Sequence, residues 1–333
     1  MIKVLHIIIA HEITAETVEL CRQLLYEDDI IALHLDAKTR KYSLPDDVLF
    51  HQNFFETFPR IKVYRGDFSI TEAILHSFHM CAGLLSDSDF VNILSGQDFP
   101  VRPLKDFHTF LAANQGKNFI NSIELPVKQS AYHHGARNES FIKGCNWPFD
   151  RYPSVFFDRM NASNYFPTGT NSYMLQARSY LFAKNRVIAK VSKHLSSYRS
   201  YNLLVHNINQ LRKLPKGTFF GGSAWPVLTK QAMMDIMQFV QDPSNKSLMK
   251  FFRKMKFSDE FVFPTILKKI NKHSLVDSDL MYLNWQRANF YGRPAYIDEE
   301  DMDKIEDSNA FFCRKTSMRS IELIKSNLFW QKE

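Results

Sequence analysis

The sequence predicts an α/β fold with a mostly parallel sheet, because apolar runs and helical segments alternate along its first hundred residues. Residues 2–10, 30–35 and 90–94 are short apolar runs typical of buried strands. Between them, Ala15–Tyr26 and Ser69–Leu85 carry apolar residues at helical spacing. Strands that are separated by helices pair in parallel, which predicts a Rossmann-like N-terminal half that binds a nucleotide.

Local signals place the ends of these elements. Thr14 has the side chain expected of the residue that caps a helix beginning at residue 15. The first apolar run is short and is interrupted by Lys3 and His6, so it is predicted as a strand and not as a signal sequence. A third strand is predicted at Ile61–Tyr64, and Pro100 is expected to stop the fourth.

The later part of the chain is less regular. Residues 126–167 are aromatic and polar without a clear period. Helices are predicted at 187–210 and 230–240, and a basic, partly amphipathic helix at 316–330.

Composition and charge limit the classes of function. The chain of 333 residues has a formal net charge of +7, which favours anionic partners. It contains no nucleic-acid recognition motif, so we expect no nucleic-acid partner. The four cysteines form no CxxC pair, which argues against a zinc site or a disulfide framework and favours a reducing compartment. No apolar run reaches the roughly 20 residues needed to cross a bilayer.

The most informative stretch is Phe90–Pro100, where a predicted strand ends in Ser95, Gly96, Gln97 and Asp98. In an open α/β sheet, ligands bind beyond the carboxyl ends of the strands. A glycine and a carboxylate at such an end suit a polar ligand that the backbone approaches closely.

This stretch resembles the LSGQDFP segment of the core-2/I-branching N-acetylglucosaminyltransferases and the related peptide xylosyltransferases. The resemblance extends from about residue 2 to residue 315 and implies a GT-A-like glycosyltransferase fold. It is strongest in four segments: 34–38, 93–100, 221–225 and 258–267.

Glu260 is the candidate catalytic base. It precedes an apolar, helix-like run, and by spacing alone it also fits a carboxylate at a helix start. The segment resembles the family's PDE-aromatic motif, whose glutamate deprotonates the acceptor hydroxyl. Ser258 stands where the family often has proline, and Asp259 is then expected to cap the helix.

Arg293, Arg314 and Lys315 are the candidates for binding the departing diphosphate. The segments RPAYIDEED and FFCRK resemble the family's C-terminal pattern, in which one arginine and one lysine replace a metal ion. The guanidinium fork suits paired bonds to phosphate oxygens. The alternative is an ordinary surface charge cluster, balanced by the acidic residues at 298–301. We favour Arg293 and Lys315, with Arg314 as a third candidate.

The resemblance implies further site residues. Trp285, Ser223 and Trp225 match acceptor-side positions, and Asp98 and Asp36 match positions near the nucleotide sugar. Each has a structural alternative. Trp285 fits a core tryptophan, the segment of Ser223 and Trp225 fits close backbone packing, and Asp98 and Asp36 fit strand-end carboxylates that fix a turn.

Two Asp-x-Asp triplets, Asp87–Asp89 and Asp277–Asp279, are assigned to turns. The first precedes a strand, which is the wrong end for a metal site beside a nucleotide. We therefore expect no metal and no other cofactor.

The resemblance implies an inverting, metal-independent transfer of a sugar onto a hydroxyl of a glycan or lipid-linked glycan. By family majority the donor is UDP-N-acetylglucosamine. The alternatives are an enzyme that uses UDP-xylose and a non-catalytic protein that binds a nucleotide sugar or a glycan. We expect a single catalytic domain over 1–333, with a nucleotide-sugar-binding half (1–125) and an acceptor-binding and catalytic half (126–333).

The expected setting is the cytoplasm of a bacterium, in the synthesis of surface polysaccharide. Basic stretches at 186–216 and 246–256 leave open a peripheral contact with the inner face of the membrane.

Overall fold

The computed structural model describes residues 2–64, 67–125, 219–253, 258–284 and 294–329. Within these ranges the strands form a sheet of seven and smaller sheets of three and two. In chain order the strands are β1 (Val4–Ala10), β2 (Ile30–Leu35), β3 (Phe54–Glu56), β4 (Phe90–Ser95), β5 (Asp98–Pro100), β6 (Lys117–Phe119), β7 (Ile123–Leu125), β8 (Phe219–Gly221), β9 (Val227–Thr229), β10 (Ser274–Val276), β11 (Met281–Leu283) and β12 (Phe312–Arg314).

Helices lie between the strands in the described ranges. In chain order they are α1 (Ala15–Leu24), α2 (Asp46–Leu49), α3 (Ser69–Cys81), α4 (Leu104–Ala113), α5 (Lys230–Gln241), α6 (Lys246–Phe252), α7 (Asp259–Ile270), α8 (Met302–Glu306) and α9 (Met318–Ile324). The Thr14 side chain accepts a hydrogen bond from the Thr17 amide and caps α1, as predicted. No described helix is both long enough and apolar enough to cross a membrane.

The central sheet has the strand order β10-β6-β9-β4-β1-β2-β3. Strand β1 pairs in parallel with β2 and β4, β2 with β3, and β6 with β10. Strand β9 is antiparallel to both of its neighbours. The predicted α/β class with a mostly parallel sheet is therefore confirmed, and strands from both halves of the chain share this sheet.

The predicted third strand at Ile61–Tyr64 is wrong, since β3 lies earlier, at Phe54–Glu56. The amides of the predicted stretch bond to side chains instead of to a strand. Ile61 N donates to His34 Nε2, and Val63 N donates to Asp36 Oδ1. Ile61 and Val63 alternate with a polar residue, but within this described stretch only Val63 packs against the core, and Tyr64 is 54% exposed.

Other predicted boundaries differ by a few residues. Pro100 ends the short strand β5 instead of β4, because a turn after Ser95 separates the two strands. The C-terminal helix begins at Met318. The irregular stretch 126–167 and the helix predicted at 187–210 lie outside the described residues.

Both faces of the sheet are covered. On β1, Leu5 and Ile7 belong to a core that contains α3, α5 and α7 side chains, whereas Val4 and Ile8 belong to one that contains α1, α4 and α9 side chains. Successive side chains of a strand point to opposite faces, so a strand that is buried on both faces is apolar throughout. This explains the continuous apolar runs in the sequence.

The three described cysteines, Cys21, Cys81 and Cys313, are buried free thiols. Burial raises the pKa of Cys21 and of Cys81 to about 12, so neither is a thiolate at neutral pH. Cys145 lies outside the described residues.

Candidate active site

The candidate site lies where three parallel strands end at one edge of the central sheet. Ala10 of β1 is level with Leu35 of β2, and Ile9 is level with Ser95 of β4. Asp36 directly follows β2, and the segment 96–98 directly follows β4. Because carboxyl ends of parallel strands meet here, this edge is the expected position for a bound ligand.

Gly96 allows the loop after β4 to pack against α1. A Cβ atom at this position would lie 2.8 Å from Thr17 Oγ1 and 3.2 Å from Ala10 Cβ. Thr17 Oγ1 also donates to the Gly96 carbonyl oxygen, at 3.1 Å. The glycine is therefore required for close approach, and it fixes where the next two residues lie.

Asp98 is fully buried and accepts hydrogen bonds at both oxygens. Ser95 donates from its amide to Oδ2 (2.7 Å) and from its hydroxyl to Oδ1 (2.9 Å). Arg314 donates from Nε to Oδ1 (2.5 Å) and from Nη2 to Oδ2 (2.6 Å). This paired geometry ties the loop after β4 to the end of β12.

The same arginine contacts a second predicted segment. The guanidinium carbon of Arg314 lies 4.0 Å from the ring centroid of Trp225, a cation–π contact. Two Arg314 nitrogens thus donate hydrogen bonds to Asp98, and one face of the guanidinium group packs on the Trp225 ring. These contacts give Asp98, Arg314 and Trp225 a structural role, and direct ligand binding by them stays a prediction.

Lys315 follows Arg314 and is more accessible. Its ammonium nitrogen donates to Gln97 Oε1 at 2.8 Å and lies 6.0 Å from the ring centroid of Tyr296. The Tyr296 side chain is 52% exposed, and its hydroxyl is 3.5 Å from Gln97 Nε2. An ammonium group, an amide and a phenol therefore lie together at an accessible part of the edge.

Glu260 lies in the first turn of α7, a helix end that favours carboxylates. Its backbone oxygen accepts from the Gly222 amide at 2.8 Å. Farther along α7, Thr265 Oγ1 accepts from the Phe220 amide and donates to the Phe220 carbonyl oxygen. The predicted segments 221–225 and 258–267 therefore pack against each other. The predicted capping role of Asp259 is wrong, because Ser258 holds the N-cap position and Asp259 is the first helical residue.

Gly222 is more tightly constrained than Gly96. A Cβ atom there would lie 1.7 Å from the Asn121 carbonyl oxygen and 3.1 Å from Pro264 Cγ. The glycine permits the segment 221–225 to pass between the β6–β7 connection and α7. Gly222 thus serves close backbone packing, one of the two roles considered from the sequence for the small residues of this segment.

Asp279 is a site residue that sequence reasoning missed. Burial raises the pKa of its carboxyl group to about 6, although a hydrogen bond from Ser223 and the charge of Arg314 oppose that shift. It also accepts from the Met281 amide, which is the turn role predicted for it. Its contact with Ser223 depends on tertiary packing, and only its position just before β11 gave a sequence signal.

The first triplet keeps its predicted turn role. Asp89 accepts from the amides of Ser86 and Lys3, and Asp87 pairs with Lys230 at the surface. Among the described residues, no group of three or more His, Cys, Asp or Glu side chains is arranged to hold a metal ion.

Asp36 also acts on its own turn. Its Oδ1 accepts from the amides of Lys38 (2.9 Å) and Val63 (3.2 Å), and its Oδ2 pairs with Lys38 Nζ (3.2 Å). The strand-end role that the sequence left open is therefore present. Contact with a nucleotide stays a prediction.

Arg293 and Trp285 lie outside the described residues. The residues on either side of that gap come together, since the Ala295 amide donates to the Asn284 carbonyl oxygen at 2.9 Å. The Lys315 amide in turn donates to the Ala295 carbonyl oxygen at 3.3 Å.

Comparison with known proteins finds one matching family model and a similar curated protein. The family model described as "Core-2/I-Branching enzyme" matches residues 163–306, a range that contains Glu260, Ser223 and Trp225 but not Asp98 or Lys315. The curated protein "Xylosyltransferase oxt" of Drosophila pseudoobscura pseudoobscura is 24% identical over 242 residues. The matched part is 70% of this chain and 21% of that protein, so the chain spans about a fifth of the relative's length.

Among solved structures, the apo form of mouse xyloside xylosyltransferase 1 superposes with a TM-score of 0.38 and 10% identity, over 93% of this chain and 97% of that one. The family match over residues 163–306 and the curated relative both agree with the resemblance predicted from the sequence.

Proposed function

We propose that this chain is an inverting glycosyltransferase that moves a sugar from a UDP-sugar onto a glycan hydroxyl without a metal ion. The observation that supports this most is the packing of four sequence-predicted segments against one another. Glu260 contacts the segment 221–225, Trp225 of that segment stacks on Arg314, and Arg314 and Lys315 bond to the loop after β4. We propose that 1–333 acts as one catalytic unit, because strands from both halves share the central sheet.

In the proposed reaction, Glu260 is the general base. The acceptor hydroxyl transfers its proton to the Glu260 carboxylate as its oxygen attacks the anomeric carbon. The bond between that carbon and the diphosphate oxygen breaks, and its electron pair leaves with UDP. Attack from the face opposite UDP inverts the configuration. A positioned base of this kind contributes on the order of 10²- to 10⁴-fold in rate.

The cations have the complementary role. Negative charge grows on the diphosphate as the bond breaks, and a preorganised cation stabilises it most where water is excluded. We assign this role to Lys315 and Arg293. Arg314 supports it through its pair with Asp98, which holds the Lys315 backbone against the loop after β4.

UDP-N-acetylglucosamine is the first candidate donor, as it is for the branching enzymes. The curated xylosyltransferase relative favours UDP-xylose as the alternative. On this proposal Asp36 lines the uridine pocket, while Trp285, Ser223 and Trp225 lie on the acceptor side.

We propose a glycan or lipid-linked glycan of bacterial surface polysaccharide as the acceptor, with peripheral contact at the inner membrane face. A flotation assay with anionic liposomes tests that contact. Co-flotation that is lost at high salt is expected, and absence of flotation at low salt would contradict it.

A UDP-release screen tests the catalytic proposal. The purified chain is incubated with a panel of UDP-sugars in excess EDTA, with water as the acceptor, and then again with Mn²⁺. Slow release from one donor, equal in both conditions, is expected, and the anomeric configuration of the product by NMR should be inverted. Strict Mn²⁺ dependence would overturn the metal-independent mechanism. If no donor is cleaved, a thermal shift with UDP supports the non-catalytic binding alternative, and its absence rejects a nucleotide site.

A further inference from the structure

The side chain of Gln97 contacts the cation of the candidate site. Its Oε1 accepts from Lys315 Nζ at 2.8 Å, and its Nε2 is 3.5 Å from the Tyr296 hydroxyl. Because an ammonium group can only donate, the amide oxygen has to face Lys315 and the NH₂ group has to face Tyr296. Both partners therefore fix the orientation of the amide.

The backbone of Gln97 is held as firmly as its side chain. Its carbonyl oxygen accepts from the amide (3.0 Å) and the hydroxyl (3.1 Å) of Thr316. The residue before it is Gly96, which packs on Thr17, and the residue after it is Asp98, which is buried in the pair with Arg314. The side chain thus extends from a fixed backbone toward Lys315, which directly follows β12.

We propose that Gln97 is a positioning residue that holds the Lys315 ammonium group where the diphosphate departs; this inference rests on the proposed function. A lysine has a flexible four-carbon stem, and ordering a mobile lysine side chain costs about 2 kcal/mol of rotamer entropy. The hydrogen bond to Gln97 orders the Lys315 side chain before the ligand binds, so part of this entropy is already lost in the free protein.

The chemical type of the acceptor matters. The carboxylate of Asp98 neutralises Arg314, whereas the amide of Gln97 holds Lys315 without cancelling its charge. A carboxylate at position 97 would keep the hydrogen bond but would add a negative charge beside the diphosphate. The neutral amide therefore fixes the position of the ammonium group without itself adding a negative charge.

Two substitutions at position 97 distinguish the effect of holding the Lys315 ammonium group in place from the effect of an added negative charge. Gln97→Met keeps the length of the side chain and removes the acceptor, whereas Gln97→Glu keeps an acceptor and adds a charge. Each is made in the wild-type chain and with Lys315→Met, and the Kd for UDP is measured by calorimetry, with kcat and KM for the active donor. Gln115→Met is the matched control, because Gln115 is exposed and contacts only the Ser88 carbonyl oxygen among its hydrogen bonds in the described part of the chain.

The expected result is a Kd for UDP weakened about 2- to 10-fold by Gln97→Met, the scale of one side chain that must be ordered on binding. Gln97→Glu should weaken binding further, and Gln115→Met should change nothing. In the Lys315→Met chain, Gln97→Met should add no further loss, because its effect passes through the lysine. Thermal melting of each variant confirms that it is folded.

An equal loss from Gln97→Met with and without Lys315 would overturn the inference, as would wild-type affinity for UDP in a folded Gln97→Met variant. Failure of the proposed function gives a different pattern. In that case the wild-type chain does not bind UDP, or Lys315→Met leaves the Kd unchanged, whatever the effect at position 97.

Discussion

Replacing Asp98 by asparagine tests the buried ion pair that joins the loop after β4 to β12. The Asp98 side chain is fully buried and that of Arg314 is 10% exposed. Removing one partner of such a pair leaves a buried charge without its hydrogen-bonded counterion, which costs about 3–5 kcal/mol. The free energy of unfolding should therefore fall by an amount in this range.

The hydrogen bonds explain why asparagine cannot replace the aspartate. An NH₂ group at the Oδ2 position would face two donors, the Ser95 amide and Arg314 Nη2. At the Oδ1 position it would face Arg314 Nε, although the Ser95 hydroxyl could rotate to accept from it. Either orientation loses at least one charge-assisted bond, so the lower end of the range, about 3 kcal/mol, is the smallest loss expected.

Urea unfolding followed by tryptophan fluorescence measures the effect, and Asp87→Asn is the control. Asp87 also pairs with a cation, Lys230, but its side chain is 97% exposed. An exposed pair contributes about 0–1 kcal/mol. Adding Arg314→Met to Asp98→Asn should restore part of the loss, because the unpaired charge is then gone. A loss for Asp98→Asn no larger than the loss for Asp87→Asn would refute the reasoning.

Two further predictions concern the segment 221–225 and its neighbour. Gly222→Ala should destabilise the fold by about 3 kcal/mol or more in the same assay, because its Cβ would lie 1.7 Å from a backbone oxygen of Asn121. Gly83→Ala is the control and should be close to neutral, because a Cβ there has no atom within 4 Å. Equal effects of the two substitutions would contradict the packing. Asp279 has a pKa raised to about 6 in the folded chain against about 3.9 unfolded, so its ionisation removes stability as the pH rises from about 4 to about 6. Asp279→Asn should therefore gain stability relative to wild type between pH 4.5 and pH 7.5 in urea unfolding, and a pH-independent difference would contradict this.

Much of the fold could be predicted because its signals are local. The Thr14 cap, the run Ile30–Leu35 and the alternation of strands with helices depend on neighbouring residues, and the structure confirms them. The strand at Ile61–Tyr64 was predicted wrongly for the same reason. Its alternation is local, but the partners of its amides, His34 and Asp36, lie on another element.

For the candidate site, too, local features could be predicted from the sequence and long-range contacts could not. Its segments could be identified from short motifs, but the roles of the residues within them depend on long-range contacts. Arg314 and Asp98 are 216 positions apart, and no spacing rule predicts that they pair. The raised pKa of Asp279 follows from burial, and the contact of Gln97 with Lys315 follows from how β12 lies against the loop after β4. For these residues the chemistry is decided by packing.

The central claim is that Glu260 is the base of a glycosyl transfer, and Glu260→Gln tests it most directly. The glutamine keeps the shape of the side chain and cannot accept the proton at neutral pH. With the donor found by UDP release, kcat should fall on the order of 10²- to 10⁴-fold while the Kd for UDP stays unchanged. Glu322→Gln, at an exposed position of α9, is the control and should keep full activity. Normal turnover in a folded Glu260→Gln variant would contradict the mechanism.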